Sequence, residues 1–392
     1  MRLPITKYYF IILGIILMIG CVEPFDATTE DFESVLVIDA VITNEVKQQK
    51  VQLSRTYRFE EELINESGAT VIVSADGQEL HTFTENEPGI YLSTTEFAVL
   101  PNVNYQLSIT TRDGGSYISD EVTLTQNVGI DDLNATVITD DLNGEGVGIL
   151  LDAYDPTGNS GYYRFEYEET FKIIAPFWNP RDLAVVSENP PVFEFEPRPR
   201  GQQVCYNTQR NLGLILANTT GFSEDRLTDF VVRFIPRNNY IISHRYSILV
   251  RQYVISREAH AFYEALSELS GLESIFSENQ PGFIQGNFRA DNNLNERVIG
   301  FFDVSSVSEE RIFFNYSDLF PDQPLPDYPN DCTVRAPLIT ELVNSVKNNT
   351  IKYFGENDDE DAPPGTPYNT VVRACGDCTA LGISEPPSFW IE

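Results

Sequence analysis

The segment VLVIDAVI, residues 35–42, is an apolar run, interrupted only by Asp39, that is dominated by β-branched side chains. Such runs are typical of buried strands. Further short strand patterns follow as far as residue 126, separated by turn signals such as Asp76-Gly77 and Asp113-Gly114. Their spacing of about ten residues, without a helical period, predicts an antiparallel Ig-like or prealbumin-like sandwich over residues 34–126.

The rest of the chain, residues 127–392, predicts a larger β-rich domain. Residues 163–167 alternate aromatic and charged side chains, which favours a strand with one face in the core over a sugar-stacking or interface cluster. A strand pair is expected at 297–304 and 311–316. The chain as a whole is therefore predicted to be mainly β.

One or two short helices are expected in this second region. Ser256 is a suitable N-cap, and Gly271 can end the helix that follows it. Residues 337–347 are expected to form the other helix. The apolar residues of the first helix recur at helical spacing: Ala259, Phe262, Leu266 and Leu269.

The charge balance is strongly acidic. The 392 residues include 26 Lys and Arg against 59 Asp and Glu, a formal net charge of −33. Binding of nucleic acid or of an anionic lipid surface depends on clustered Lys and Arg. The composition therefore argues against both classes of partner.

The N-terminus has the pattern of a secretory signal. Arg2 and Lys7 precede an apolar run at residues 8–19, and LMIGC at 17–21 resembles a bacterial lipobox. We expect residues 1–20 to be removed, Cys21 to be lipidated, and the acidic stretch 21–33 to be a tether. The alternatives are an ordinary signal peptide with a chance cysteine, or an uncleaved anchor.

Four cysteines remain after Cys21. In an oxidising cell envelope an even set favours two disulfides among Cys205, Cys332, Cys375 and Cys378, with three connectivities open. We favour Cys375 and Cys378 each bonding one of the earlier cysteines, which would tie the C-terminal CxxC tail to the second domain. Redox chemistry within the CxxC and a zinc site are the alternatives.

The sequence assigns no catalytic residue, metal site or cofactor, and we expect a non-enzymatic protein. It contains no HExxH, GxSxG or Gly-Lys phosphate loop, and His81, His244 and His260 lack ligand spacing. The acidic run at 356–361 is more typical of a solvated loop than of a calcium site.

Residues 176–200 are rich in proline and are expected to form an extended surface loop. Phe177 and Trp178 lie at its start. Because rigid aromatic side chains are enriched at interface hot spots, we assign these two residues as candidates for partner binding.

Several stretches resemble the envelope lipoproteins of the domain-of-unknown-function 4249 family, a family of the bacteroidete type. The resemblance implies an outer-membrane lipoprotein. Genes of this family often lie beside the gene of a TonB-dependent transporter, so the resemblance also implies a transporter as partner. The resemblance assigns no catalytic residue to this chain. The stretches are CVEPF at 21–25, GIY at 89–91, GFIQGN at 282–287, VIGFFDVSS at 298–306, RACGDCTALG at 373–382 and PPSFW at 386–390.

Three functions remain open from the sequence. The leading one is a lipid-anchored accessory or substrate-capturing partner of a TonB-dependent transporter in the outer membrane, facing the cell surface in one arrangement. The second is a surface adhesin or glycan-binding sandwich. The third is a hydrolase with an unrecognised pair of carboxylates.

Replacing Cys21 by serine should abolish acylation and block normal processing of the precursor, because only a thiol can receive the lipid. Metabolic labelling with a radioactive fatty acid measures this directly. Labelling of Cys205→Ser is the control and should match the wild type. An unlabelled wild-type protein would contradict the lipoprotein assignment.

Overall fold

The computed structural model describes residues 34–56, 64–271, 284, 286–293 and 296–392. The expected signal peptide, Cys21 and the tether lie outside these residues. The described chain is mainly β, with large antiparallel sheets and short helices, as predicted. No helix in this part of the chain is long and apolar enough to cross a membrane.

The N-terminal strands form one half of the largest sheet of the structure. Apolar residues alternate with more exposed ones along most of these strands, as expected for a sheet with one buried face. The strands are β1 (Leu36–Thr43), β2 (Lys50–Arg55), β3 (Ile64–Asn65), β4 (Thr70–Ala75), β5 (Gln78–Glu87), β6 (Ile90–Ser93), β7 (Asn104–Thr110), β8 (Ser116–Ser119) and β9 (Val122–Thr123).

The central region forms a second sandwich. Its strands are β10 (Asp132–Asp140), β11 (Gly144–Asp155), β12 (Tyr162–Ile174), β13 (Arg181–Glu188), β14 (Pro191–Pro197), β15 (Val204–Arg210), β16 (Ile215–Asn218), β17 (Asp225–Pro236) and β18 (Arg245–Val254). The sheet β10-β11-β17 packs on β12 and β18, and Tyr163 and Phe165 lie buried between the two layers, as the alternation predicted.

The C-terminal region completes both sandwiches. It contains strands β19 (Phe288–Ala290), β20 (Val298–Asn315), β21 (Ile351–Glu356) and β22 (Tyr368–Val372), and helices α1 (Arg257–Gly271), α2 (Tyr316–Leu319), α3 (Ile339–Lys347) and α4 (Arg373–Gly376). The predictions of α1 and α3 are confirmed. The Ser256 hydroxyl accepts a hydrogen bond from the Ala259 amide at 3.0 Å, as an N-cap does.

The long strand β20 joins the two halves of the largest sheet. Its first part, residues 298–305, pairs in parallel with β1, and residues 306–315 pair antiparallel with β18. The prediction of a strand pair at 297–304 and 311–316 is therefore wrong. The residues between them, 305–310, contain no Gly, Pro, Asn or Asp to form a turn, and β18 supplies a partner that lets the strand continue.

The prediction of an extended loop over residues 176–200 is also wrong. Residues Arg181–Glu188 and Pro191–Pro197 form the antiparallel ribbon β13-β14. Proline cannot donate a ladder hydrogen bond and is tolerated at strand ends and on edge strands. Pro191 and Pro197 stand at the two ends of β14, whose strand partner is β13 alone among the described strands.

Gly286 and Asn287 of the GFIQGN stretch meet the VIGFFDVSS stretch beside β1. The Asn287 side chain donates from Nδ2 to the Phe302 carbonyl at 2.9 Å and accepts from the Phe302 amide at 2.8 Å. Gly300 has a φ of +152°, and a Cβ there would collide with the Ile38 carbonyl. A Cβ at Gly286 would collide with the Gly300 carbonyl. The glycines allow three backbones to approach closely.

Gly300→Ala should lower the free energy of unfolding by about 1–3 kcal/mol, because the added methyl group must displace the Ile38 backbone of β1. Chemical denaturation measures the change. Gly129→Ala is the matched control: no atom lies within 4 Å of its added Cβ, so its stability should change by less than about 1 kcal/mol. Equal effects of the two substitutions would contradict the packing argument.

Candidate functional site

A cavity of about 500 Å³ opens on the face of β12 and β18 that points away from the sandwich core. The strand period places Arg164, Glu166 and Glu168 on this outer face, opposite the buried aromatic residues of β12. The loop between β15 and β16, residues 211–214, forms one wall. The charged lining consists of Arg164, Glu166, Glu168, Arg210 and Arg251, and the aliphatic lining consists of Leu212, Leu214 and Leu249.

Arg164 is the buried charge of this cavity and is only 7% exposed. Its guanidinium carbon lies 4.6 Å from the ring centre of Tyr253 and 5.0 Å from that of Tyr263 on α1. Nη1 pairs with Glu166 at 3.1 Å, whereas Nε has no hydrogen-bond partner among the described residues. Aromatic faces attract a cation and fix its plane. Arg164 is therefore held rigidly with part of its hydrogen-bonding capacity unused.

The charge of Arg164 is maintained by its neighbours. Burial lowers the pKa of its guanidinium, but Tyr263, Glu166 and further acidic groups raise that pKa by more. Glu166 also accepts a hydrogen bond from the Tyr253 hydroxyl at 3.0 Å. The buried end of the cavity thus presents a permanent positive charge beside an anchored carboxylate.

The other charged side chains form ion pairs along the same face. Glu168 lies 3.2 Å from Nε of Arg210 and 3.5 Å from Nη2 of Arg311. Arg251 pairs with Glu309 at 2.9 Å and more loosely with Glu45. These contacts fix the orientation of the guanidinium groups.

Asp303 lies on β20 near Arg164 and is completely buried. Its carboxylate accepts hydrogen bonds from the Ser305 hydroxyl at 2.5 Å and the Val304 amide at 3.0 Å. Burial raises the pKa of Asp303 above its usual value, against the opposing effects of Ser305 and Arg164. Sequence reasoning missed Arg164 and Asp303, although a charged residue inside the apolar stretch at 298–304 was an available signal.

The four cysteines form two disulfides, Cys205–Cys378 and Cys332–Cys375, each with a Cα–Cα distance of 5.6 Å. Each cysteine of the CxxC thus bonds one of the earlier cysteines, the arrangement that the sequence analysis favoured. Among the described residues, no group of His, Cys, Asp and Glu could hold a metal ion. The structure brings these cysteines together but does not place them in the lining of the cavity.

Phe177 and Trp178 are half-buried rather than free in a loop. The Phe177 ring contacts Phe354 edge to face at 5.0 Å, and its amide donates to the Cys375 carbonyl at 2.9 Å. Trp178 packs against the central core. The residue that sequence reasoning missed here is Phe354, which remains 38% exposed. A role in partner binding stays a prediction for Phe177 and Trp178.

The structure keeps the remaining candidates apart. The His81 ring stacks on Phe97 at 3.6 Å, and the ring of His260, which lies on α1, is 5.1 Å from the ring of Tyr162 on β12. His244 lines a different pocket. The acidic residues at 356–361 occupy the end of β21 and the mostly exposed turn that follows it.

Asp303→Asn should change how stability depends on pH. The amide keeps the shape of the side chain and can accept from the Val304 amide and donate to Ser305. Because the folded-state pKa of Asp303 is raised above its ordinary value of 3.8, the stability that it contributes is lost as pH rises from 3.8 through the folded-state pKa. Over that rise the wild type should lose free energy of unfolding relative to D303N. Parallel curves from denaturation at a series of pH values would contradict this.

The comparison with known proteins supplies a family for this architecture. The family model named "Domain of unknown function (DUF4249)" matches residues 22–311, which include both strands that pair with β20 but not the tail motifs at 373–390. No curated protein matches the chain. Because the match covers well over half of the residues, the chain belongs to the domain-of-unknown-function family DUF4249.

Proposed function

We propose that this protein is a lipid-anchored, non-enzymatic protein of the outer membrane that captures a ligand and presents it to a TonB-dependent transporter. The observation that carries the proposal is the cavity beside Arg164. Its volume of about 500 Å³ lies within the range of small-molecule sites. Its lining combines oriented charges, which can fix the orientation of a ligand, with leucine side chains, which can cover an apolar part of it.

The contacts of the carboxylates support binding rather than turnover. Glu166 and Glu168 both pair with arginines of the cavity wall, and Glu166 also accepts a hydrogen bond from Tyr253. Such pairing suits the orientation of a ligand better than the transfer of protons to it. The lipobox-like Cys21 would hold the cavity close to a membrane protein and raise its effective concentration there.

The surface around Phe354 is the proposed contact with the transporter. Phe354 is 38% exposed, and Phe177 supports its ring from the side. The side-chain amide of Asn179 donates to the Phe354 carbonyl at 2.8 Å and so links the segment of Phe177 to that of Phe354. A supported, partly exposed aromatic pair has the rigidity that is typical of interface anchors.

Affinity purification of the tagged full-length lipoprotein from mildly solubilised membranes should recover a TonB-dependent transporter, identified by mass spectrometry. Phe354→Ser should reduce this recovery severalfold, because it removes the exposed ring but leaves Trp178 in the core. Phe222→Ser, which removes another exposed aromatic ring, is the matched control and should leave recovery unchanged. A wild-type protein that purifies alone, with uptake unchanged in its deletion strain, would contradict the proposal.

A second pocket favours glycan binding as the alternative function. It measures about 480 Å³ and lies between the loops at 155–162 and 219–225. Phe222, 64% exposed, stands at its edge together with Tyr154, Asn159 and Glu224. An aromatic face beside amide and carboxylate groups suits a sugar ring. Glycan-array binding that Phe222→Ser abolishes and Phe354→Ser spares would favour this alternative.

A further inference from the structure

We infer that the Arg164 cavity binds a small organic monocarboxylate with an apolar body. Guanidinium groups would hold its carboxylate, and its hydrocarbon part would lie against the leucine side chains of the lining. The inference deepens the proposed capture function by giving the chemical class of the ligand. It rests on capture by this cavity and not on the transporter.

The balance of charge in the cavity lining differs from that of the whole chain. The chain carries 59 acidic and 26 basic side chains, yet the cavity lining holds Arg164, Arg210 and Arg251 against Glu166 and Glu168. The side chains of the lining taken alone are therefore net positive, although the net charge of the whole chain is −33; Glu309 and Glu45, which pair with Arg251, lie outside the lining. Such a surplus, partly shielded from water, strengthens attraction to an anion.

The hydrogen-bond donors of the lining have a geometry that suits a carboxylate. All the cations of the lining are arginines, whose planar guanidinium matches a carboxylate with two parallel hydrogen bonds. The Arg210 side chain is 80% exposed, and its contact with Glu168 uses Nε, so its terminal nitrogens face solvent at the mouth. Arg164 supplies the fixed charge at the buried end. The lining therefore offers an exposed guanidinium that a carboxylate can reach and a fixed positive charge at greater depth.

Leu212, Leu214 and Leu249 form an apolar wall of the cavity, the leucine wall. Leu212 is fully exposed, and the loop that carries it is held by the Asn211 side chain. The Asn211 Oδ1 accepts from the Tyr167 amide at 2.8 Å, and Nδ2 donates to the Gly213 carbonyl at 2.7 Å. An apolar side chain that a rigid loop presents to water gains free energy when a hydrocarbon group covers it. Leu214 and Leu249 extend this wall into the cavity.

The two glutamates restrict the charge of the ligand. Three guanidinium groups and two carboxylates line the cavity, and Glu309 and Glu45 outside the lining pair with Arg251, so at most about one positive charge is left for a ligand to neutralise. A dianion such as phosphate would bring its second negative charge close to Glu166 and Glu168. A cation would be repelled by the buried Arg164. The lining therefore suits a monoanion better than either.

Isothermal titration calorimetry on the full-length protein in detergent tests this with hexanoate, its neutral analogue hexanamide, hexylammonium and inorganic phosphate. Hexanoate should bind at least tenfold more tightly than each of the other three. Arg210→Gln should weaken hexanoate binding about tenfold, since it removes a surface guanidinium without disturbing the core. Arg289→Gln, an exposed ion-paired arginine of β19, is the matched control and should leave binding unchanged.

Leu212→Ser separates the apolar contribution from the ionic one. It should weaken hexanoate binding severalfold and leave acetate binding unchanged, because acetate is too short to cover the leucine wall. Hexanamide or phosphate binding as tightly as hexanoate would overturn the inference, as would R210Q binding like the wild type. Failure of hexanoate to bind overturns it even if a transporter co-purifies. Specific hexanoate binding without a transporter would uphold it and remove only the transporter partnership.

Discussion

The structure depends on the hydrogen bonding of β20 to two different strands. Residues 298–305 form a parallel ladder with β1, and residues 306–315 form an antiparallel ladder with β18. The N-terminal core includes Phe302 and Val304, whereas Phe314 belongs to the central core. Because one strand lies in both, the two sandwiches are joined by a continuous backbone ladder rather than by a linker, and neither can shift along β20 without breaking its ladder.

This shared strand also creates the environment of the cavity. Asp303 lies within the part that pairs with β1, and Val307 lies within the part that pairs with β18. Helix α1 covers the junction, where its Phe262 and Tyr263 pack in one cluster with Phe301 and Val307. Arg164 is enclosed beneath the same helix. Charges at such a junction lose hydration and must be balanced by neighbours, which explains the dense pairing of arginines, tyrosines and carboxylates there.

The C-terminal tail packs beside the cavity and contacts a neighbour of its wall. The two disulfides hold the CxxC turn to earlier parts of the chain and contribute about 2–5 kcal/mol each by restricting the unfolded state. Beyond them, Trp390 packs edge to face on Tyr206 and Phe313. Phe389 lies 3.5 Å from the guanidinium carbon of Arg311, which contacts Glu168 of the cavity wall. The cysteines for which redox chemistry and zinc binding were the alternatives thus form two disulfides, and the tail beyond them contacts Arg311 beside the cavity wall.

What the sequence by itself determined was local. Period-two alternation identified the strands and the buried face of residues 163–167, and a cap, a helical period and a glycine identified α1, because these patterns record which side of a segment is buried. Tertiary structure decided which strands pair. It made β20 one strand instead of two, folded residues 181–197 into a ribbon, and brought Arg164 between Tyr253 and Tyr263 near Asp303. Periodicity specifies a buried face but not the partner that covers it, so a site assembled from four distant segments became visible only in the folded chain.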